Sequence, residues 1–133
     1  MMCADALYNP VCSDRPNYSY RDLRVWRRSM DLCRIIYEHS SRFPADERYG
    51  LVTQMRRAAV SIPSNIAEGQ GRLTDKEFRQ FLEIARGSLR ELETQTLLAR
   101  DLGYINDAFA SRARSVMDEV SRMLNALITK LAP

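Results

Sequence analysis

Few residues in this sequence could perform acid–base or nucleophilic catalysis, and the single histidine is the first to consider. His39 is not part of a Glu-x-x-His motif, so the di-iron sites that helical bundles often carry are not indicated. No nucleophile has a recognisable setting around it. Because His39 falls near the end of a predicted helix, we interpret it as a partner of the helix dipole, and a metal ligand or catalytic base is the alternative.

The cysteines and the closely spaced carboxylates indicate no further chemistry. Cys3, Cys12 and Cys33 are an odd number without paired short spacing, which argues against a disulfide framework and against a zinc site. Glu91 and Glu93 are two residues apart, and on a helix such side chains point about 200° away from each other. The sequence therefore predicts no catalytic residue, no metal site and no cofactor.

A stripe of polar side chains on two predicted helices is the remaining candidate for a site. These side chains recur at three- and four-residue spacing beside an apolar face. They are Gln54, Arg57, Ser61, Asn65, Glu68, Ser88, Glu91 and Gln95. Because buried polar groups must form hydrogen bonds, a satisfied network of this kind fixes helix register and subunit geometry. We favour this structural role, and a binding or catalytic site is the alternative.

Arginine accounts for 18 of the 20 basic residues, and the formal net charge is +3. Guanidinium groups suit bidentate contacts with phosphate or carboxylate, although a GC-rich genome would produce the same bias. If the protein binds nucleic acid, we expect the contacts to come from the arginines of the first helix and of the same end of the molecule. They are Arg21, Arg24, Arg27, Arg28, Arg34 and Arg72. Asp31 and Glu38 dilute this surface, so each chain offers few net phosphate contacts.

Two long motifs make the chain similar to a known family. The first motif reads Gln54-Met-Arg-Arg-Ala-Ala-Val-Ser-Ile-Pro-Ser-Asn-Ile-Ala-Glu-Gly69. The second reads Phe78-x-x-Phe-Leu-x-Ile-Ala-x-Gly-Ser-Leu-x-Glu-Leu-Glu-Thr-Gln95. With Leu23-x-Val-Trp26 before them and Leu102-Gly-Tyr104 after them, the chain resembles the four-helix-bundle family encoded in 23S rRNA intervening sequences. The resemblance covers about residues 22–131.

This resemblance implies a homopentamer without catalytic residues. Accessory proteins of diversity-generating retroelements, which are related to the family, bind a reverse transcriptase and RNA. We therefore expect a non-enzymatic oligomeric scaffold with RNA or a ribonucleoprotein as its partner, and a pure protein–protein adaptor is the alternative. The sequence has neither a secretory signal nor a run of about 18 apolar residues, so we expect a cytoplasmic protein with no membrane contact.

Apolar periodicity and capping residues predict the fold. The 133 residues suit one domain, and short connections between amphipathic helices favour an all-α, antiparallel up-down-up-down four-helix bundle. The predicted helices cover residues 22–41, 47–68, 75–102 and 107–131. We assign residues 20–133 to the bundle domain. Residues 1–19 are polar and show no period, which predicts a disordered or loosely docked tail.

Single residues predict how these helices begin, end and pair. We expect the second helix to start after Asp46, to continue through a kink at Pro63, and to end at Gly69-Gln70-Gly71, where glycine supplies a left-handed cap. Gly87, in the middle of the third helix, suggests a close approach of the second helix near residues 55–59. The remaining caps are predicted at Thr74 with Glu77, at Gly103 and at Asn106.

The last predicted helix has a wider apolar surface than a monomeric bundle needs. Its second stripe consists of Met117, Leu124, Ile128 and Leu131. A further apolar patch lies at residues 96–99 of the third helix. We infer that apolar surface remains for self-association, and a deeply buried last helix is the alternative.

Overall fold

The computed structural model describes residues 19–133, which form four antiparallel helices joined by short connections. The helices are α1 (Arg24–Ser40), α2 (Leu51–Gln70), α3 (Asp75–Asp101) and α4 (Asp107–Leu131). Each helix packs against two neighbours, α2 pairs most extensively with α3, and α1 closes the bundle against α4. The predicted all-α, up-down-up-down four-helix bundle is confirmed. The tail predicted for residues 1–19 lies outside the described residues apart from Ser19. Within residues 19–133, no helix is both long and apolar enough to cross a bilayer.

The second apolar stripe of α4 is buried within the single chain. Its members are Met117, Leu124, Ile128 and Leu131, and all four pack in the core between the helices. The apolar surplus predicted for α4 is therefore wrong, because this helix needs both stripes to contact its two neighbours. On α3, by contrast, Leu97 and Leu98 remain about half exposed.

Helix α2 continues through Pro63, as predicted. Proline has no N–H to donate to the carbonyl of Ala59, and a proline inside a helix costs about 3 kcal/mol. The thiol of Cys33 on α1 donates to this carbonyl, with an Sγ–O distance of 3.1 Å. A buried side chain of the neighbouring helix therefore replaces the missing backbone donor.

The glycines of the α2–α3 pair differ from their predicted roles. Helix α2 ends at Gln70 and is capped by Gly71, within the predicted stretch, but Gly71 has a φ of −78°, so the predicted left-handed cap is wrong. A Cβ added to Gly69 would lie 2.6 Å from Cβ of Phe81, which shows that α2 and α3 approach closely here. A Cβ added to Gly87 would meet nothing within 4 Å. The predicted contact of Gly87 with residues 55–59 is therefore wrong, since this side of α3 faces outward.

Helix α2 begins four residues later than predicted. Asp46 lies in a single turn of 3-10 helix, Ala45–Glu47, and does not cap α2. Oε1 of Glu47 instead accepts a hydrogen bond from the amide of Leu51 at 3.2 Å. Oε2 of Glu47 accepts a second hydrogen bond from the hydroxyl of Tyr104 at 2.8 Å. One carboxylate thus serves the start of α2 and ties the α1–α2 connection to the α3–α4 connection.

The caps predicted at Thr74 and Asn106 are confirmed, whereas the C-cap of α3 is Leu102 and the predicted Gly103 follows it. The hydroxyl of Thr74 accepts a hydrogen bond from the amide of Glu77 at 3.2 Å, and Oδ1 of Asn106 accepts one from the third amide of α4 at 2.8 Å. Gly103 has a φ of +80°, which glycine adopts without strain. This conformation lets the amide of Tyr104 bond back to a carbonyl in the last turn of α3 at 2.9 Å.

Candidate functional site

The polar stripe of α2 and α3 meets at a cluster of three side chains. The hydroxyls of Ser61 and Ser88 are 2.8 Å apart and join the two helices. Nδ2 of Asn65 donates to the carbonyl and to the hydroxyl of Ser61, at 2.8 and 2.9 Å. The antiparallel packing of α2 and α3 places these residues side by side. The cluster therefore fixes the register of one helix against the other.

The other members of the predicted stripe lie outside this cluster. Nε2 of Gln95 donates to Glu91 at 3.3 Å, while the buried Oε1 of Gln95 has no hydrogen-bond partner among residues 19–133. Glu68 forms an ion pair with Arg72 at 3.8 Å. Gln54 and Arg57 are exposed on α2. The eight predicted residues thus do not join into one hydrogen-bonded network.

The outward surface of the helix pair combines apolar and small residues. We call it the α2–α3 face, and it comprises Arg57, Val60, Ser61, Ser64, Ile84, Gly87, Ser88 and Leu98. Val60, Ile84 and Leu98 are 41%, 52% and 48% exposed. Gly87, three residues after Ile84 on α3, has open space above its backbone. An apolar surface of this kind could contact another protein chain without any rearrangement of the bundle.

Arg28, one of the predicted nucleic-acid contacts, bridges α1 and α4. Its guanidinium lies 3.2 Å from the carboxylate of Asp31 and 3.0 Å from that of Glu119. Burial lowers the pKa of Arg28, but hydrogen bonds and charge attraction from these two carboxylates outweigh it and raise the pKa above its ordinary value. Arg34 also pairs with Asp31, at 3.0 Å. Arg28 and Arg34 are therefore paired with carboxylates of the same chain, which offset their positive charge.

The other predicted arginines are held by local contacts. Arg72 lies over the ring of Phe81 at 4.7 Å, and Arg21 lies over the ring of Tyr20 at 5.6 Å. Arg27 reaches a backbone carbonyl at 3.4 Å, and Arg24 is exposed in the first turn of α1. The structure thus distributes the predicted set over α1, the turn before it and the end of α2.

A row of arginines along α3 was missed by the sequence reasoning. Arg79, Arg86 and Arg90 point towards α4, where they donate to the carbonyl of Leu131 at 3.4 Å, to Oδ1 of Asn125 at 3.0 Å and to Oγ of Ser121 at 3.5 Å. We call this surface the α3–α4 seam. The spacing of seven and four residues was the signal that could have revealed it, because it places the three on one side of a helix.

The groups with the most reactive side chains are held in the core or at its edge. The ring of His39 stacks on that of Phe109 with centroids 3.6 Å apart, and its Nδ1 lies 3.2 Å from the carbonyl of Ile35. Burial raises the pKa of Cys33 to about 11, so its thiol is protonated at neutral pH. No group of three acidic, histidine or cysteine residues that could hold a metal ion occurs within residues 19–133.

Comparisons with known proteins agree with this architecture. The family model of 23S rRNA-intervening sequence proteins matches residues 21–126. A crystal structure of a protein with unknown function from the S23 ribosomal protein family, from Bacteroides thetaiotaomicron, has a similar fold, with a TM-score of 0.71 at 22% sequence identity. The similarity covers 78% of this chain and 97% of that one. No curated protein matches the sequence.

Proposed function

Because the chain belongs to the family of 23S rRNA-intervening sequence proteins, we propose that it is a cytoplasmic, non-enzymatic scaffold that assembles from several copies and binds RNA or a ribonucleoprotein. The α2–α3 face is the observation that carries the proposal. Half-exposed apolar side chains and an open glycine occur on this face, and exposed apolar surface marks interaction sites on proteins. Because Gly87 has no side chain, the backbone of a neighbouring helix could approach closely.

We take the number of subunits to be five, on the resemblance to the family alone. The α2–α3 face supports an interface but does not specify its symmetry. Five copies with a charge of +3 each would carry 5 × 3 = +15. Contacts made simultaneously by linked subunits raise avidity by about 10²- to 10⁴-fold over a single subunit. Assembly would therefore convert weak RNA contacts into useful affinity.

Light scattering coupled to gel filtration tests the assembly. We expect the wild type to elute at several times the 15.4 kDa chain mass. Ile84→Arg places a charge on the α2–α3 face and should give monomers. Leu73→Arg is the matched control, because Leu73 is 95% exposed in the α2–α3 connection and away from the face. A monomeric wild type across the micromolar range would overturn the proposal.

A protein–protein adaptor without nucleic-acid binding is the second candidate. It is favoured by the ion pairs of Arg28 and Arg34, which leave the predicted α1 surface with little net positive charge. Titration of a structured RNA at two salt concentrations separates the candidates, since phosphate contacts weaken steeply with salt. We expect binding at low salt that declines at high salt. An assembled protein that binds no RNA at low salt would be assigned to the adaptor.

A further inference from the structure

Two arginines of the α3–α4 seam differ from Arg28 and Arg34 of α1, which pair with carboxylates, in what they contact. Arg79 and Arg86 donate to a backbone carbonyl and to an amide oxygen, both of which are uncharged. A guanidinium has five N–H donors, so each keeps most of its donors and its full charge for another partner. Glu83 is four residues after Arg79 and three residues before Arg86, so its exposed carboxylate lies on the same side of α3 and offsets part of their charge. The contacts orient the two groups without neutralising them.

The seam presents its arginines as a row along one side of α3. At 1.5 Å per residue, Arg79 and Arg86 are about 10 Å apart along α3, and Arg90 is about 6 Å further. All three side chains rest on α4, so the row is held on two packed helices. Arg90 already pairs with Glu93 at 2.9 Å, which concentrates the available charge on Arg79 and Arg86.

The seam continues into a groove of about 670 Å³ between the second half of α3 and the first half of α4. Arg114 lines this groove and forms no ion pair among the described residues, but Asp107 and Asp118 line it too. The groove therefore has mixed charge. It extends the seam without adding a strong excess of positive charge, and the main anion contacts belong to the Arg79 end.

We infer that the α3–α4 seam, with Arg79 and Arg86 at its centre, is the surface that contacts the phosphate backbone of structured RNA; this inference rests on the proposed function. Arginine forms forked hydrogen bonds with phosphate oxygens, and a fixed row of such groups matches phosphates that repeat along a strand. Structured RNA is recognised mainly through shape and backbone contacts. The seam is expected to bind without strong base preference.

The experiment measures the binding of a fluorescently labelled RNA hairpin by anisotropy at several salt concentrations. Arg79→Gln/Arg86→Gln should raise Kd about 10- to 100-fold and reduce the magnitude of the slope of log K against log salt by about 2, because two phosphate contacts are lost. Arg24→Gln/Arg34→Gln is the matched control with the same charge change on α1, and it should bind nearly as the wild type does. Circular dichroism and light scattering are used to check that both variants keep the fold and the assembly of the wild type.

The variant Arg79→Lys/Arg86→Lys keeps both charges, so it separates the effect of charge on RNA binding from the effect of side-chain packing. It should keep the wild-type salt slope, since a lysine also neutralises a phosphate. A wild-type Kd in the seam variant, with lost binding in the α1 variant, would overturn the inference and leave the proposed function standing. A wild type that binds an acidic peptide such as polyglutamate but no RNA would overturn both. A salt slope reduced in the lysine variant as much as in the glutamine variant would also overturn the inference, because the slope would then not follow the charge of the seam.

Discussion

Two helical glycines, Gly69 in the last turn of α2 and Gly87 in the middle of α3, should respond to substitution by alanine with opposite changes in stability. A Cβ on Gly69 would lie 2.6 Å from Cβ of Phe81, and 3.0 and 3.2 Å from atoms of Phe78. Ordinary contacts begin at 3.4 Å, so the helices would have to separate by about 1 Å. Overpacking of this kind costs about 1–3 kcal/mol, and alanine recovers about 1 kcal/mol in helix propensity. We therefore expect Gly69→Ala to lower the free energy of unfolding by up to about 2 kcal/mol.

Gly87→Ala is the matched control on the partner helix. Its added Cβ meets nothing within 4 Å, so only the helix propensity changes and the free energy of unfolding should rise by about 0.5–1 kcal/mol. Urea denaturation of both variants at one low protein concentration measures the difference, because assembly would otherwise shift the apparent stability. Equal stabilisation by both alanines would refute the close approach at Gly69. Destabilisation by Gly87→Ala in the assembled protein alone would indicate that a second copy covers this glycine.

The contacts that join the helices give three further predictions. Cys33→Ala should lower the free energy of unfolding by about 1–3 kcal/mol, because it leaves the carbonyl of Ala59 without a donor, and Cys33→Ser should cost less since it keeps one. The folded thiol has a pKa of about 11 against an ordinary 9.0, so the unfolded chain releases this proton first and stability should fall as pH rises from 9 to 11. That decline should be smaller in Cys33→Ala, where only the raised pKa of Tyr104, caused by its hydrogen bond to Glu47, still contributes. Tyr104→Phe removes the hydrogen bond to Glu47, and we expect a drop in melting temperature smaller than that of Gly69→Ala, because solvent reaches this bond.

The positions of the helices could be predicted from the sequence because local signals specify them. The fourth helix was predicted over residues 107–131 and is observed at Asp107–Leu131, where Asn106 caps its first turn. The start of α2 was missed because its first amide is served by Glu47, a side chain in the preceding turn. Glycine roles were assigned wrongly for a related reason. A glycine marks a close helix–helix contact only when it lies on the side of its helix that faces the partner. The sequence does not show which side of α3 faces α2.

The surface charges were harder to predict than the fold. Counting charges along α1 identified a basic surface, but Glu119 comes from α4, about 90 residues later in the chain, and pairs with Arg28. The same limitation hid Arg79 and Arg86, because their neutral partners, Leu131 and Asn125, also belong to α4. Charge on one helix becomes informative only when the charges of the neighbouring helix are known.

The two motifs that make the family recognisable contact each other in the structure. Ser61 of the first motif bonds to Ser88 of the second, and Gly69 of the first packs on Phe81 of the second. The motifs therefore specify how α2 and α3 pair, and with it the surface proposed for assembly. The seam arginines occupy unspecified positions between these packing residues, so resemblance to the family could not point to them. Changes at the seam should accordingly alter RNA binding while assembly is kept, whereas Ile84→Arg should abolish assembly and weaken RNA binding only through the loss of avidity.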